Sequence, residues 1–438
     1  MTSKYRPLVF ALALFMGACA PRSVVPSATP TVAATATPSP TPGLAAPVSG
    51  TVALDRRWYT VPDGFDHPQI QVTATFDGDP SAGEPFVAID GGPATPLRRN
   101  GAAWTALLAL EGRLAEGQHT VGVFERLQDP SAAPHRAAAT TFLLSQPEYV
   151  VWTLDFEGDA SGDAELANTA AIADGLKIPM AVFWNPRAWT SDQVSNERQT
   201  AMTAWTKARL AKGDEVALHL HMWTDYVRAA GIVPKTVPSW AGRGDGYDVP
   251  ITAYPEADQK TLIDYGVKLM TERGFPKPTS FRAGGDMADA STLRAVAASG
   301  FDLDCTAVAK DYPSIGRIPY PWNLPVGAQP YRPSRTDANA VGDLPLLEAP
   351  TTGGNTYGFT VNSIQPQIRA NLALFAPAGK ATAERKAIIV VSHPGTIVPA
   401  ERAAIEALLG AFDALRYDKD AGPVRFVTTA QLAKAYRP

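Results

Sequence analysis

Residues 150–157 read VVWTLDFE, an apolar run that ends in two carboxylates, Asp155 and Glu157. An apolar run of this length between helical stretches predicts a buried parallel strand, whose interior tolerates few polar side chains. Further apolar runs downstream also close on polar residues: His219 and His221 in VALHLH, Arg282 in TSFRAGG, Glu348 in LPLLEAP and His393 in AIIVVSHPG. Because parallel strands end at one face of a sheet or barrel, these side chains are expected to converge there, where such folds place their chemistry.

The chain around these runs alternates between strand-like and helix-like segments. The strand candidates are YVVWTLDF, IPMAVFW, EVALHL, PTSFRA, FDLDCTA, LPLLEAP, AIIVVS and PVRFVTT, and helical stretches are predicted at 164–176, 197–213, 256–274, 289–300 and 399–415. This alternation predicts an α/β fold, a distorted (β/α) barrel over residues 147–438. Two Pro- and Gly-rich insertions, 225–255 and 312–345, follow candidate strands and are therefore expected to shape the functional face.

The residues before the barrel divide into three parts. Residues 51–146 contain short alternating runs, such as QIQVTATF and AAATTFLL, between turn signals such as DGDPSAG, and predict a small all-β sandwich of the immunoglobulin-like kind. Residues 20–50 are dominated by Pro, Thr, Ala and Ser and are expected to form an extended, disordered tether. Residues 1–19 place Lys4 and Arg6 before an apolar run too short to span a bilayer, which is typical of a cleaved signal peptide.

The end of that run, Met16-Gly17-Ala18-Cys19, resembles a bacterial lipoprotein cleavage site. Cleavage would leave Cys19 as a lipidated N-terminus, so the protein is expected to be an extracytoplasmic, membrane-anchored lipoprotein; an ordinary secretory signal with an incidental cysteine is the alternative. The other cysteine, Cys305, then has no disulfide partner and is interpreted as a small core residue. A net charge of −4 and no long basic run beyond the N-terminus argue against a nucleic-acid partner.

The polar residues at the first and third strand ends fit an open catalytic metal site. Asp155 and Glu157 stand two apart and share a face of a continued strand, so one carboxylate can bind a cation while the other acts as a base. His219 and His221 add imidazole, a favoured zinc ligand. A metal ion held by one carboxylate and two histidines would lower the pKa of a water and polarise a carbonyl group.

Two further strand-end residues complete this chemistry. His393 precedes Pro394 and Gly395 and could protonate a leaving group. Arg282 could hold the base carboxylate through a charge-assisted bidentate contact.

The motifs, taken in this order, resemble those of the polysaccharide deacetylases, the NodB-homology carbohydrate esterases of the family 4 type. TLDFE is similar to their first motif, GDEVALHLH to the lead-in of their metal-histidine motif, PTSFRAGG to their arginine motif and VVSHPG to their late histidine motif, over roughly residues 150–438. The resemblance implies a distorted (β/α) barrel and a divalent metal ion, with zinc favoured. It also implies the removal of N- or O-acetyl groups from a polysaccharide or peptidoglycan-type glycan at the cell surface.

The resemblance also implies roles for individual residues. Asp155 corresponds to the catalytic base, Arg282 to the arginine that accompanies it, and His393 to the catalytic acid. Glu157 and His219 correspond to metal ligands, with Glu157 standing where the family has an aspartate.

One departure concerns the second histidine ligand. The family pattern places it four residues after the first, where this chain has Trp223. The metal shell would then be completed by His221, two residues after His219, or by Asp225 on the following loop.

Two other functions are compatible with these residues. A carbohydrate-binding lipoprotein that kept the barrel and lost the metal would explain Trp223. A glycoside hydrolase would pair Asp155 or Glu157 with Glu348, at carboxyl separations of roughly 5–5.5 Å or 6.5–9.5 Å, and would give the paired histidines no role. Glu348 is equally well interpreted as a buried partner of Arg282 or of a loop amide.

Several other polar and aromatic residues have structural interpretations. Asp286 and Asp289 are interpreted as caps of the helix that DASTLRAVAASG predicts. The single histidines of the sandwich are interpreted as surface or turn residues: His67, His119 and His135. The loop tryptophans either pack as anchors or stack on sugar rings: Trp184, Trp189, Trp223, Trp240 and Trp322.

Overall fold

The computed structural model of the protein describes residues 46–80, 85–110, 114–127, 129, 131–313 and 316–437. The predicted signal peptide, Cys19 and nearly all of the predicted tether lie outside these residues. Within the described part, two β-sheets are formed mainly by residues before 148, and one parallel sheet with helices follows. No helix of the described part combines the length and apolar character needed to cross a bilayer.

The two N-terminal sheets share one hydrophobic core. Their strands are β1 (Gly50–Leu54), β2 (Trp58–Thr60), β3 (Gln69–Phe76), β4 (Phe86–Ile89), β5 (Thr95–Pro96), β6 (Arg98–Asn100), β7 (Ala103–Ala109), β8 (Gly117–Glu125) and β9 (His135–Ser145). One sheet has the order β1-β3-β7-β6 and the other the order β2-β9-β8-β4-β5. Along β3, buried Ile70 and Val72 alternate with exposed residues and meet Val121 and Phe142 of the second sheet.

Five of these strands, β3, β4, β7, β8 and β9, coincide with the predicted ones; the others are shorter or carry too few apolar residues to give a signal. The immunoglobulin-like topology stays a prediction. The interpretation of His119 as a surface histidine was wrong, because its ring is buried between Asp90 Oδ2 at 2.6 Å and the carbonyl of Ala115 at 2.7 Å.

The region from residue 148 forms a curled parallel sheet. Its strands are β10 (Glu148–Asp155), β11 (Ala181–Trp184), β12 (Glu215–Leu220), β13 (Ser280–Ala283), β14 (Leu303–Asp304), β15 (Leu347–Glu348), β16 (Gly354–Asn355), β17 (Lys386–Ser392) and β18 (Val424–Phe426). They follow the order β15-β14-β13-β12-β11-β10-β17-β16, with β18 beside the start of β10. Every strand predicted in this region is present; β16, whose Gly-Asn sequence is not apolar, was not predicted.

One chain segment, residues 347–356, joins the two edges of this sheet. At its start it pairs with β14, and the amide of Ala349 donates to the carbonyl of Asp304 at 2.8 Å. At its end it pairs with β17, and the amide of Thr356 donates to the carbonyl of Val391 at 2.9 Å. The sheet therefore curls back on itself through this segment, as a distorted barrel requires.

The helices connect successive strands of the curled sheet. They are α1 (Asp163–Leu176), α2 (Asn196–Leu210), α3 (Thr224–Ala229), α4 (Glu256–Glu272), α5 (Ala290–Ala298), α6 (Gln365–Leu374), α7 (Pro399–Gly410) and α8 (Thr429–Ala435). The predicted stretches correspond to α1, α2, α4, α5 and α7. Asp289 caps α5 as predicted, because its side chain accepts the amides of Ser291 and Thr292 in a capping box worth about 1 kcal/mol.

The strands of the curled sheet bury both faces. Along β10, Val150, Trp152 and Leu154 pack into the large core that the helices complete. The alternate residues Tyr149 and Val151 join side chains from five other strands of the sheet, in a second core that fills the inside of the curl. Burying each such aliphatic or aromatic side chain contributes about 1.5–3 kcal/mol. The buried, unpaired thiol of Cys305 belongs to this inner core, in agreement with its structural interpretation.

Candidate active site

A cavity of about 350 Å³ opens at the carboxyl ends of the strands of the curled sheet. The predicted site residues that line it are Asp155, Glu157, His219, His221 and His393. The rest of its wall comes from Trp240, Tyr247, Ala283, Gly285, Asp286, Tyr312, Asn355, Tyr357, Val391 and Thr396. The two insertions therefore reach the functional face, as predicted, through Trp240, Tyr247 and Tyr312.

Strand alternation explains why these side chains point the same way. Tyr149 and Val151 fill the inside of the curl, and Asp155 continues the same row at the end of β10. Ala217 is an inner residue of β12, so His219, two positions later, also faces inward. The chain leaves each strand just beyond these residues, which places the side chains at the mouth of the curl instead of within its packed core.

Three side chains form a cluster that can hold a metal ion. Nε2 of His221 lies 2.7 Å and Nε2 of His219 lies 3.7 Å from Oε2 of Glu157. One ligand atom from each of these residues falls within 4.8 Å of the others, and both imidazole rings are buried. One carboxylate oxygen and two imidazole nitrogens are a donor set typical of divalent transition metals.

The hydrogen bonds of the two rings fix which nitrogen faces the cluster. Nδ1 of His219 donates to the carbonyl of Arg282 at 3.1 Å, and Nδ1 of His221 donates to the carbonyl of Tyr247 at 2.8 Å. In the neutral rings both Nε2 lone pairs therefore point at the Glu157 carboxylate, and buried Nε2 of His219 makes no hydrogen bond within the described residues. Three electron-pair donors in contact repel one another unless a proton or a metal cation lies between them, and the donor set present fits a divalent metal ion.

The electrostatics of the cluster agree with this. Burial alone would raise the pKa of Glu157, but the adjacent imidazoles of His221 and His219 outweigh it and hold that pKa well below its usual range. Burial would likewise lower the pKa of His219, but the negative charges of Asp155 and Glu157 outweigh it and raise that pKa. The site therefore attracts positive charge at its centre.

Asp155 is held by Arg282, whose side chain is buried. Nη1 of Arg282 donates to Oδ1 of Asp155 at 2.7 Å and to Oγ1 of Thr153 at 2.9 Å, while Nε donates to the carbonyl of Cys305 at 2.9 Å. The contact is a single hydrogen bond and not the bidentate one that was predicted: the carbonyl of Cys305 occupies Nε, and buried Nη2 has no hydrogen-bond partner among the described residues. Burial would lower the pKa of Arg282, but the charge of Asp155 outweighs it, so the guanidinium stays charged.

His393 approaches the cluster from the other end of the same carboxylate. Its Nε2 lies 3.2 Å from Oε1 of Glu157, whereas Oε2 faces the histidine pair. Its Nδ1 is buried and makes no hydrogen bond within the described residues, so Nε2 is the ring nitrogen available to a molecule in the cavity. The exposed ring of Tyr357 stands edge-on to the imidazole, with centroids 6.0 Å apart.

Two predicted candidates lie elsewhere. Asp225, the alternative metal ligand, pairs with Arg187, whose Nε lies 3.0 Å from both carboxylate oxygens. Glu348 is buried and does not line the cavity; its Oε1 accepts the amide of Ala307 at 2.9 Å, in agreement with the loop-amide interpretation. Burial raises the pKa of Glu348 well above its usual value.

Trp223 occupies the position of the second histidine in the family pattern. It does not line the cavity and contacts the cluster through the backbone of Glu157. Its indole Nε1 donates to the backbone carbonyl of Glu157 at 3.0 Å, and the guanidinium of Arg187 lies over its ring at 3.6 Å. Trp240 alone among the predicted sugar-stacking tryptophans lines the cavity described above. Trp184, Trp189, Trp223 and Trp322 are instead packed in the core of the described region.

Sequence reasoning missed two cavity residues that carry chemistry. Asp286 was interpreted as a helix cap, but its left-handed φ of 58° and the adjacent Gly285 turn the chain so that it lines the cavity. Burial raises the pKa of Asp286 to about 7, although the charge of Arg282 opposes the shift. Tyr247 lies in an insertion without periodicity, and nothing in its local sequence indicates that it contacts the cluster.

No protein-family model and no curated protein matches the sequence. Solved structures similar to the chain include a candidate polysaccharide deacetylase from Mycobacterium smegmatis (16% identity, covering 66% of this chain and 89% of that one, TM-score 0.42). Another is a family 4 carbohydrate esterase from Streptomyces lividans (11% identity, covering 62% of this chain and 90% of that one, TM-score 0.32). A third is a peptidoglycan deacetylase from Bacillus subtilis (12% identity, covering 66% of this chain and 91% of that one, TM-score 0.32). This is the family that the motifs resemble.

Proposed function

We propose that this protein is a metal-dependent deacetylase that removes acetyl groups from a polysaccharide or peptidoglycan-type glycan. The observation that carries the proposal is one cavity that holds a metal-ligand cluster together with an arginine-bound carboxylate and a further histidine. Glu157, His219 and His221 would hold the ion, zinc being favoured by the imidazole pair. Asp155 and His393 lie at the same cavity and supply acid–base chemistry.

The ion, when bound, would act as a Lewis acid that activates water and polarises a carbonyl group. Asp155 is the base: Arg282 occupies its Oδ1, whereas Oδ2 accepts no hydrogen bond from any described residue and is free to take a proton from the attacking water. His393 is the acid: it would give a proton from Nε2 to the departing amine or alcohol. The aromatic walls formed by Trp240, Tyr247 and Tyr357 suit the apolar faces of a sugar ring.

The geometry weighs against both alternatives. A glycoside hydrolase that uses Glu348 loses its second carboxylate, because that residue is buried against a loop amide and does not line the cavity. A binding protein without metal was favoured by Trp223, but His221 supplies the imidazole that Trp223 cannot.

The proposal is tested by acetate release. The purified protein, stripped of metal, is incubated with acetylated chitooligosaccharide or acetylated xylan, with and without added Zn²⁺. We expect acetate only with the ion, and an intact sugar chain. Cleavage of the chain without acetate would establish the hydrolase instead, and binding without either product would establish the carbohydrate-binding protein.

We also propose that Cys19 anchors the protein to a membrane, on the support of the signal-like run and the Gly17-Ala18-Cys19 sequence. In a Cys19→Ser variant, labelling with a radioactive fatty acid should disappear and the protein should leave the membrane fraction. Retention in that fraction after complete signal cleavage would place the anchor elsewhere.

A further inference from the structure

Glu157 and His221 have a neighbour in common, Tyr247. Its phenol oxygen lies 3.2 Å from Oε2 of Glu157, and because a carboxylate oxygen only accepts, the phenol is the donor. Its ring is stacked on the His221 imidazole, with centroids 4.0 Å apart and planes 7° from parallel. Its backbone carbonyl accepts the Nδ1 proton of the same imidazole at 2.8 Å. One residue therefore contacts the carboxylate of the cluster and sets both the plane and the tautomer of a histidine.

The insertion around Tyr247 is organised to keep it in place. Oδ1 of Asp245 accepts the amide of Tyr247 at 3.1 Å, and the carbonyl of Asp245 accepts the amide of Thr224 at 2.7 Å. Arg243 lies over the Tyr247 ring at 4.3 Å and pairs with Asp245 at 2.6 Å. The position of Tyr247 is thus fixed by bonds at its amide, its carbonyl, its ring and its hydroxyl.

We propose that Tyr247 is a positioning residue of the metal centre: it orients Glu157 and His221 toward a divalent cation. The inference rests on the proposed metal centre and deepens it. Metal-binding histidines are held at their second nitrogen by a carbonyl or carboxylate, and ligating carboxylates are hydrogen-bonded in turn. For two of the three ligands here, these partners come from one residue of the insertion, so this loop and not the sheet alone sets the affinity for the ion.

The test is Tyr247→Phe, which removes the hydroxyl and keeps the ring and the carbonyl. The matched control is Tyr254→Phe, in the same insertion, whose hydroxyl accepts the amide of Lys235 at 2.9 Å and touches no residue of the cluster. Zn²⁺ affinity is measured by competition with a chromophoric chelator, and the Co²⁺ form is examined by its visible absorption. We expect Tyr247→Phe to bind Zn²⁺ roughly 10–100-fold more weakly, with a shifted Co²⁺ spectrum, while Tyr254→Phe behaves as the wild type.

The outcomes separate this inference from the proposed function. If Tyr247→Phe has the Zn²⁺ affinity and the Co²⁺ spectrum of the wild type, the inference is overturned and the proposed metal centre is unaffected. The same conclusion follows if the metal-free variant only melts at a lower temperature while its Zn²⁺ affinity is unchanged. A wild-type protein that binds neither ion would overturn both. If Tyr247→Phe does not fold, Arg243→Gln, which removes the guanidinium over the ring, is the deciding variant. Weaker Zn²⁺ binding there supports the inference, and unchanged binding overturns it.

Discussion

The histidine pair at the end of β12 and the single histidine after β17 contact different oxygens of the Glu157 carboxylate, and they are held in different ways. In the pair, each ring donates Nδ1 to a backbone carbonyl and only 2% and 4% of the side chain is exposed. His393 has no hydrogen bond at Nδ1 and 17% exposure. Groups that hold an ion benefit from a fixed orientation, whereas a group that hands a proton to a substrate must be reachable from the cavity.

The largest effect expected from this comparison is the loss of one of the two histidines that are held by hydrogen bonds at Nδ1. His219→Ala removes a ligand and should abolish both Zn²⁺ binding and acetate release, because affinity and Lewis acidity are lost together. Metal content by elemental analysis, alongside acetate release, measures both. His67→Ala, at an exposed histidine of the N-terminal region, is the control and should change neither. Retained metal in His219→Ala would remove this residue from the ligand set.

The next effect separates the base from the ligands. Asp155→Asn keeps the size of the side chain and its contact with Arg282 but cannot take a proton, so Zn²⁺ should still bind while kcat falls by roughly 10²–10⁴-fold. Stoichiometric metal content with reduced turnover would confirm the division of roles. Simultaneous loss of metal would mean that Asp155 holds the ion as well.

For His393, the more exposed histidine, the effect of substitution on the rate of acetate release should depend on the leaving group. His393→Ala should spare Zn²⁺ and slow the release of acetate from an N-acetyl sugar by roughly 10²-fold or more, because an amine must be protonated to depart. A phenyl acetate should be affected much less, since a phenolate departs without help. Comparing kcat for the two substrates measures the difference, and equal losses would contradict the acid assignment.

The smallest effect on Zn²⁺ binding is expected from Trp223, which contacts the backbone of a ligand and not the ion. Trp223→Phe removes the hydrogen bond to the carbonyl of Glu157 while keeping an aromatic ring beside Arg187, and should weaken Zn²⁺ binding by roughly tenfold or less. Trp189→Phe, which loses a hydrogen bond to Thr203 away from the cavity, is the matched control. Tighter Zn²⁺ binding in Trp223→Phe would show that the tryptophan opposes the metal instead of supporting it.

Much of the curled sheet was predictable because its strands are buried on both faces. Runs such as AIIVVS carry an unbroken apolar signal, and the polar residues that end them mark the point where the core stops. Strand alternation then brings Asp155 and His219 to the same mouth without any knowledge of the loops. Strand β16 and helix α6 were missed because GN and QPQIRANLAL show no clear period.

The rest of the site depends on contacts that no local pattern encodes. Tyr247 reaches Glu157 only because the insertion folds back over β12, and the pairing of Asp225 with Arg187 depends on two loops meeting. Asp286 and Asp289 look alike in sequence, yet one lines the cavity and the other caps α5. The difference is set by the left-handed turn at Gly285 and Asp286, which is a property of the folded backbone.

Strand β10 is the first strand of the curled sheet in sequence and lies in its interior, between β11 and β17. Its register partners Lys386–Ser392 and Val424–Phe426 lie far downstream of it in the sequence. Pairing along most of β10 therefore requires contacts between residues that are distant in sequence, and such long-range closure folds slowly. Deletion of β18 and α8 should accordingly destabilise the whole curled sheet and not only the strands next to them.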